Sequence, residues 1–310
     1  MTSRRTSSKG DQAQALRGLM ERMHSERFDV VATAPALPRA RSIAVTSGKG
    51  GVGKSSLALN LAIALARHET RTALLDANLG LGNLDLMCGL NGYWNLSHVV
   101  TGARNLGEIV LDGPAGVQVI PGASGLAEMA DWPETAQADV VGQLTEFEQT
   151  QDFLVIDTAA GIHRSVRQFL EACDLVVVVA TPEPTAIADA YATIKSLSAR
   201  SRSGNADSTL EVLVNQGDSP QQAALIGERI RETARTFLQV DVSYAGWIPH
   251  DPQVAAAVSR RRPFVIEKPD CPASQAVGQL AHRLIQFFKS QPPRGSLFPR
   301  MHTGQLLEVA

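Results

Sequence analysis

Short runs of apolar, β-branched residues recur along the chain, and most are separated by longer stretches with helical periodicity. The strand candidates are residues 43–47, 72–76, 117–120, 152–157, 174–180, 210–215 and 242–248. Near-continuous apolar runs are typical of strands that are buried on both faces, as in a parallel sheet covered by helices. The pattern therefore predicts an α/β fold with a mostly parallel central sheet and helices on both faces.

The two ends of the chain lack this alternation. Residues 1–10 are mainly Ser, Thr, Arg and Lys, a composition typical of disorder. A short helical pattern follows, and a Pro/Ala-rich linker then precedes the first strand candidate. We therefore expect an N-terminal extension (1–38), one domain (40–290) and a Pro-rich tail (291–310).

Composition excludes several classes of protein. The formal charge of −2 gives no sign of general nucleic-acid binding. The three cysteines are far apart and form no C-x-x-C pair, so neither a disulfide framework nor a zinc motif is indicated. No apolar run follows Arg4 and Arg5, so the N-terminus does not resemble a signal peptide, and the longest apolar run, Leu175–Ala180, is far shorter than a membrane span. We expect a cytoplasmic protein.

The stretch SGKGGVGKSS, Ser47–Ser56, contains the phosphate-loop (P-loop) pattern G-x-x-x-x-G-K-[ST]. A strand candidate precedes it and an amphipathic helix, 54–67, follows, so backbone N–H groups and a helix N-terminus would face a bound phosphate. Lys54 is expected to pair with the β- and γ-phosphates, and Ser55 to bind Mg²⁺. The predicted nucleotide-binding residues are Gly48, Lys49, Gly50, Gly51, Val52, Gly53, Lys54, Ser55 and Ser56.

Two strand candidates end in an aspartate, Asp76 and Asp157. The carboxyl ends of parallel strands are where ligands bind in open α/β sheets. An aspartate in this position holds Mg²⁺ in P-loop proteins. Asp76 and Asp157 therefore join Ser55 as predicted metal ligands.

The loop KGGVGKS, 49–55, resembles the deviant Walker A motif of the MinD/ParA family of P-loop ATPases. The resemblance extends over nearly all of residues 43–288. It implies ATP and Mg²⁺ as ligands. It also implies that Lys54 serves its own nucleotide while Lys49 reaches the nucleotide of a second subunit, so that ATP drives formation of a homodimer.

Within this family the sequence most resembles the FlhG/FleN branch, which regulates the number and placement of flagella. The stretches that carry this resemblance are residues 76–90, 152–166, 180–195 and 246–258. The resemblance implies that Gly161 moves toward the γ-phosphate and that Asn215 contacts the base. Pro249 and Asp251 would belong to the loop that closes over the nucleotide.

Outside the ATPase region, the segment DQAQALR resembles the D-Q-A-x-x-L-R motif through which FlhG proteins contact and stimulate the GTPase FlhF. The implied partner-binding residues are Asp11, Gln12, Ala13, Leu16 and Arg17. Further partners implied by the branch are flagellar C-ring components or a flagellar transcription activator. A specific nucleic-acid partner is not expected.

The sequence departs from the family at Asn78, because the family usually has a second aspartate there, in the order D-x-D. Asparagine can hydrogen-bond a water molecule but carries no negative charge and cannot act as a base. With Lys49, Lys54, Asp76 and Asp157, Asn78 is a predicted catalytic residue. We expect slow hydrolysis, or hydrolysis that depends on a partner or on Asp76.

Some alternatives stay open at this point. The amphipathic helix predicted at 273–289 suits core packing or reversible contact with the inner face of the cell membrane, and core packing is favoured. Arg260–Arg262 is interpreted as a solvated helix end. Competing functions are a MinD-type division regulator, a ParA-type partition ATPase, a metal-cluster carrier and an ATP-binding scaffold that hardly turns over.

Overall fold

The computed structural model describes residues 39–78, 82–122, 134–201, 208–292 and 294–306. Every described residue belongs to one compact unit, Pro38–Ala310. The expected N-terminal extension, with its partner motif, therefore lies outside the described residues.

The central sheet of the described region has the strand order β3-β4-β2-β5-β1-β6-β7-β8. Its strands are β1 (Arg41–Thr46), β2 (Thr72–Ala77), β3 (Leu111–Asp112), β4 (Gln118–Ile120), β5 (Phe153–Thr158), β6 (Leu175–Ala180), β7 (Thr209–Gly217) and β8 (Ser243–Pro249). All neighbouring strands are parallel except β3 and β4. The predicted α/β fold class is confirmed, and the sequence analysis missed only the short antiparallel strand β3 among the described strands.

Helices cover both faces of the sheet. They are α1 (Lys54–Ala66), α2 (Leu84–Met87), α3 (Leu96–Val100), α4 (Leu106–Ile109), α5 (Glu134–Gln149), α6 (Arg164–Ala172), α7 (Pro184–Ser201), α8 (Pro220–Thr233), α9 (Pro252–Ser259), α10 (Phe264–Glu267), α11 (Pro272–Lys289) and α12 (Leu297–Leu306). Successive β1 residues point to opposite faces: Ile43 and Val45 join a core with α1 and α11, whereas Ala44 joins one with α5, α6 and α12. Each face thus buries its own core.

The C-terminal segment differs from the expected Pro-rich tail. Leu297 and Phe298 of α12 are buried against the core that includes α5 and α6. The buried carboxylate of Glu148 accepts hydrogen bonds from the Leu297 N–H at 3.0 Å and from the Ser296 hydroxyl. This carboxylate satisfies N–H groups that a helix start leaves unpaired. The expected domain end at 290 is therefore too early, and the domain includes α12.

Helix α11 packs against the core, which is the favoured alternative for the helix predicted at 273–289. Its apolar face, which includes Val277, Leu280 and Leu284, is buried on the sheet. Phe288 is also buried, with the Arg41 guanidinium over its ring. This packing does not favour a free membrane anchor at 287–288. None of the described helices is long and apolar enough to cross a membrane.

Replacing Leu297 by alanine tests whether α12 is part of the folded core. Leu297 is fully buried, and a buried Leu→Ala change typically costs about 2–5 kcal/mol through lost contacts and the cavity left behind. We expect Leu297→Ala to lower the urea midpoint without changing the slope. Leu225→Ala, at a side chain that is 72% exposed, is the control. Equal midpoints for the two variants would contradict docking of α12.

Candidate nucleotide-binding site

The P-loop connects β1 to α1 at the carboxyl edge of the sheet, where β2 and β5 also end. Asp76 of β2 and Asp157 of β5 occupy paired positions on neighbouring strands. The loop and both predicted acidic residues are thus brought to one edge, as expected for strand ends in a parallel sheet.

Glycine is required at several P-loop positions. A Cβ on Gly48 would lie 2.4 Å from the carbonyl oxygen of Asp189, so the loop approaches α7 too closely for any side chain. Gly51 and Gly53 have φ angles of 82° and 85°, in the left-handed region that favours glycine. A Cβ added to Gly50 or Gly51 would meet nothing within 4 Å. The loop is therefore held closely on one side and open on the other, as a phosphate cradle requires.

Hydrogen bonds from other parts of the chain fix the loop. The side-chain amide of Asn215 donates to the Val52 carbonyl at 2.8 Å. The Gly161 N–H donates to the Ser47 carbonyl at 2.9 Å. The predicted role of Gly161 at the γ-phosphate would therefore require this bond to be exchanged. Its φ of 95° is one that only glycine adopts readily.

Lys54 and Asp157 form the buried centre of the site. The Lys54 Nζ lies 3.6 Å from Asp157 Oδ1, and both side chains are almost completely buried. Asp157 Oδ1 and the Ser56 Oγ are buried without a hydrogen-bond partner among the described residues. Buried polar atoms are almost always satisfied, so these two indicate a place for a ligand. The Lys54 ammonium, the Asp157 carboxylate beside it, the Ser56 hydroxyl and the open glycine loop fit a Mg²⁺-bound nucleotide, with Ser55 adjacent in the loop.

Asp76 is bound to the chain that follows it. Its Oδ1 accepts from the Asn78 N–H at 3.0 Å, and its Oδ2 accepts from the Leu84 N–H at 3.3 Å. Burial raises the pKa of the Asp76 carboxyl to about 6, and the negative charge of Asp157 adds to the rise. Burial also raises the pKa of Asp157, although the charge of Lys54 opposes this. Asp76 thus holds the start of the segment after β2, beside the predicted metal ligand Asp157.

Asn78 follows β2 directly and its side chain is half-buried. Within the described part of the chain its side chain forms no hydrogen bond, whereas its backbone N–H is bound to Asp76. Asn78 is therefore placed beside the acidic pair, with its amide available for another partner.

The Lys49 side chain contacts the beginning of α7 and the residue before it. Its Nζ lies 2.6 Å from Glu183 Oε2 and 3.2 Å from the Thr185 hydroxyl. The Lys49 and Glu183 side chains are 41% and 63% exposed, so the pair is in contact with solvent. Sequence reasoning did not single out Glu183 or Thr185. They lie within the stretch 180–195, but no spacing rule connects that stretch to the P-loop.

A cavity of about 200 Å³ adjoins the P-loop at the amino end of α1. Ser56, Asn215, Pro249 and Asp251 line it, and Phe264 adds an apolar wall. The predicted base-contacting residue, Asn215, and the predicted closing-loop residues, Pro249 and Asp251, thus line the same cavity. The Asp251 carboxylate already accepts from the backbone N–H groups of Gln253 and Ala273, so it positions this loop. The predicted partner residues at 11–17 lie outside the described residues.

Comparison with known proteins agrees with this geometry. Residues 39–285 match the ParA family, described as NUBPL iron-transfer P-loop NTPase. The chain is 38% identical over 255 residues to the antiactivator FleN of Pseudomonas aeruginosa, covering 82% of this chain and 90% of that protein. It is 35% identical over 249 residues to the flagellum site-determining protein YlxH of Helicobacter pylori, covering 78% and 81%.

Solved structures share the fold. MinD of Pyrococcus horikoshii complexed with Mg-ADP has a TM-score of 0.64 at 21% identity, covering 82% of this chain and all of that one. The MinC:MinD complex of Aquifex aeolicus gives a TM-score of 0.62 at 24% identity, covering 83% and 100%. With the family match over most of the sequence and the P-loop geometry described above, this chain belongs to the ParA/MinD family of P-loop NTPases.

Proposed function

We propose that this protein is an ATP-dependent dimerising switch that regulates the number or placement of flagella. It binds ATP with Mg²⁺, hydrolyses it weakly, and changes between monomer and dimer rather than producing a metabolite. In the dimer, Lys49 serves the partner's nucleotide. Through its N-terminal segment it stimulates an FlhF-type GTPase.

The observation that carries the proposal is the position of Lys49. Lys54 is buried beside Asp157, whereas Lys49 is exposed and paired with Glu183. An exposed ion pair contributes at most about 1 kcal/mol, so Lys49 can leave Glu183 at little cost. A mobile cation next to the P-loop, not needed by its own nucleotide, suits a contact across a subunit interface.

Different residues of the chain bind the phosphates, hold Mg²⁺ and position the attacking water. The P-loop N–H groups and Lys54 bind and orient the phosphates, while Ser55 and the free oxygen of Asp157 are the ligands available to Mg²⁺. The bound metal ion neutralises charge on the phosphates. Asn78 orients the attacking water through its amide but cannot accept a proton, and Asp76 holds the segment that carries it.

The flagellar assignment rests on the relatives and on the N-terminal motif. One similar protein, YlxH, is named a flagellum site-determining protein, and another, FleN, is named an antiactivator, although the chain is also 33% identical to MinD of Thermotoga maritima over 178 residues. The segment at 11–17 resembles the FlhF-contacting motif and favours the flagellar role over division or partition. C-ring components or a flagellar transcription activator would be further partners.

A metal-cluster carrier on the same fold is disfavoured. Such a protein needs accessible thiolates, but all three cysteines, Cys88, Cys173 and Cys271, are buried. Burial raises the pKa of the Cys88 thiol to about 12, so it stays protonated at neutral pH. The protein therefore lacks the reactive thiolates that such a carrier would use.

Separate substitutions of the two lysines test the switch. Lys54→Ala should abolish nucleotide binding because it removes the buried cation. Lys49→Ala should bind ATP with unchanged affinity but stay monomeric by light scattering, because the partner's nucleotide loses its contact. Lys195→Ala removes an exposed lysine of α7 and is the control. A Lys49→Ala variant that dimerises with ATP as the parent does would overturn the two-subunit role.

Asn78→Asp tests the proposed cause of slow hydrolysis. A water-orienting acid or base typically contributes on the order of 10²–10⁴-fold in rate, so restoring the carboxylate should raise ATP turnover without tightening ATP binding. Phosphate release measures turnover. Asn91→Asp, at an exposed position, is the matched control. Turnover that is unchanged or lower in Asn78→Asp would show that Asn78 does not limit the reaction.

Deletion of residues 1–30 tests the partner role of the N-terminal segment. An isolated helix of about 15 residues is marginal in water, so we expect this segment to gain stability by docking in a groove of the GTPase. The truncated protein should keep ATP binding and thermal stability but lose stimulation of an FlhF-type GTPase. Arg17→Ala should weaken stimulation, and Arg22→Ala should not. Full stimulation by the truncated protein would disprove the role and remove the main reason to favour FlhG over MinD.

A further inference from the structure

Helices α9 and α10 form a short helical pair joined by the turn Arg260–Pro263, and we refer to residues 252–268 as the basic hairpin. An ion pair between Arg260 and Glu267 links its two arms. Its inner side is held by buried Ala257, Phe264 and Val265. The hairpin is thus a defined surface element, and most of its remaining side chains are exposed, although Pro263 is buried and Val254 packs against the core.

Three cations of the basic hairpin are exposed and unpaired. Arg261, Arg262 and Lys268 make no ion pair or side-chain hydrogen bond with any residue that the structure describes. A further cation, Arg67, lies beside α10 because its guanidinium donates to the Val265 carbonyl at 2.8 Å. Among the acidic groups near these cations, Glu267 is already paired with Arg260, and Asp270 and Glu69 are exposed.

Exposed aliphatic side chains accompany these cations. Val258 is 41% exposed and precedes the three arginines, and Ile266 is 40% exposed and precedes Lys268 by two residues. Ala255 and Ala256 are exposed on the same helix as Val258. The basic hairpin therefore combines unpaired positive charge with apolar surface.

A second surface, around α8, also has exposed apolar residues and arginines, but it lacks an excess of positive charge. Around α8, Leu225 and Phe237 are more exposed than Val258 or Ile266, and Arg229 and Arg235 are exposed as well. There, however, Glu232 lies between the two arginines, and acidic residues stand at both ends of the segment. The charges of that surface are balanced, whereas those of the basic hairpin are not.

We propose that the basic hairpin docks on an anionic lipid surface. Exposed lysines and arginines each strengthen attachment to anionic headgroups by about fivefold, and aliphatic side chains between them can enter the interface. The chain as a whole carries a charge of −2, whereas this surface has unpaired positive charge that complements a negative membrane. The contact is independent of α11, whose apolar face is buried.

Other occupants fit the basic hairpin less well. A nucleic acid would be bound by the cations but gains little from exposed valine and isoleucine, since its binding sites combine cations with aromatic stacking or hydrogen-bonding groups. A second copy related by a twofold axis would place the same arginines against each other. Lipid docking uses both the charges and the aliphatic side chains.

The test is co-sedimentation of the nucleotide-free full chain with vesicles, so that it does not depend on the proposed ATP switch. We expect binding to vesicles containing phosphatidylglycerol, not to pure phosphatidylcholine, with strong weakening by salt. Arg261→Ser/Arg262→Ser should lower the partition coefficient about 25-fold, at about fivefold per cation. Arg229→Ser/Arg235→Ser removes the same charge elsewhere and should have little effect. Ile266→Ser should weaken binding without changing its salt dependence.

Three outcomes would overturn the proposal. These are no binding to anionic vesicles, equal binding to neutral ones, and an equal loss in the control variant. Two parallel assays identify other occupants. If the 261/262 variant loses binding to a DNA duplex but keeps vesicle binding, the surface is a nucleic-acid site. If it loses only ATP-dependent dimerisation, the surface is a subunit interface.

Discussion

Close packing around the P-loop is the constraint on which the rest of the site depends. The absence of a side chain at Gly48 lets the loop touch the Asp189 carbonyl, and Asn215 and Gly161 hold it from two further strand ends. These contacts come from α7, from β7 and from the segment after β5. A change at any of these elements therefore reaches the phosphate loop directly, which is a property that a nucleotide-controlled switch needs.

The same loop separates two lysines that are only five positions apart. Lys54 begins α1 and is buried beside Asp157, so its charge is committed to the site. Lys49 precedes Gly51 and Gly53, which have left-handed φ angles, and its side chain forms a solvent-exposed ion pair with Glu183. A buried ion left without a partner is costly, whereas an exposed one is easily solvated. This energetic difference is consistent with the proposed roles, in which Lys54 stays in its own site and Lys49 moves to the partner's nucleotide.

Local patterns were sufficient to predict the sheet and the P-loop, because each depends on residues adjacent in sequence. Buried parallel strands such as β6 are continuously apolar, and glycines mark the loop. Strand β3, with only Leu111 and Asp112, is too short to show a pattern. Helix α12 was missed because its stability comes from burial of Leu297 and Phe298 rather than from periodicity. Glu183 was missed because it meets Lys49 across 134 positions of the chain.

The charges of two buried carboxylates, those of Asp76 and Asp157, link the phosphate site to the segment that follows β2. Asp76 and Asp157 occupy paired positions on neighbouring strands, and the Lys54 ammonium lies beside Asp157, so ionising both carboxylates leaves one negative charge uncompensated in a buried environment. Burial is the main cause of the raised pKa of Asp76, about 6, and the negative charge of Asp157 adds to it. A divalent cation with a nucleotide would supply positive charge and change the balance. Asp76 also accepts hydrogen bonds from the N–H groups of Asn78 and Leu84, so the charge of its carboxylate affects the position of both residues.

At the opposite edge of the sheet, Arg41 donates three hydrogen bonds to carbonyls at and beyond the end of α11. Movement is therefore expected at the carboxyl edge, where the ligand changes the charge, and not at the base of the sheet.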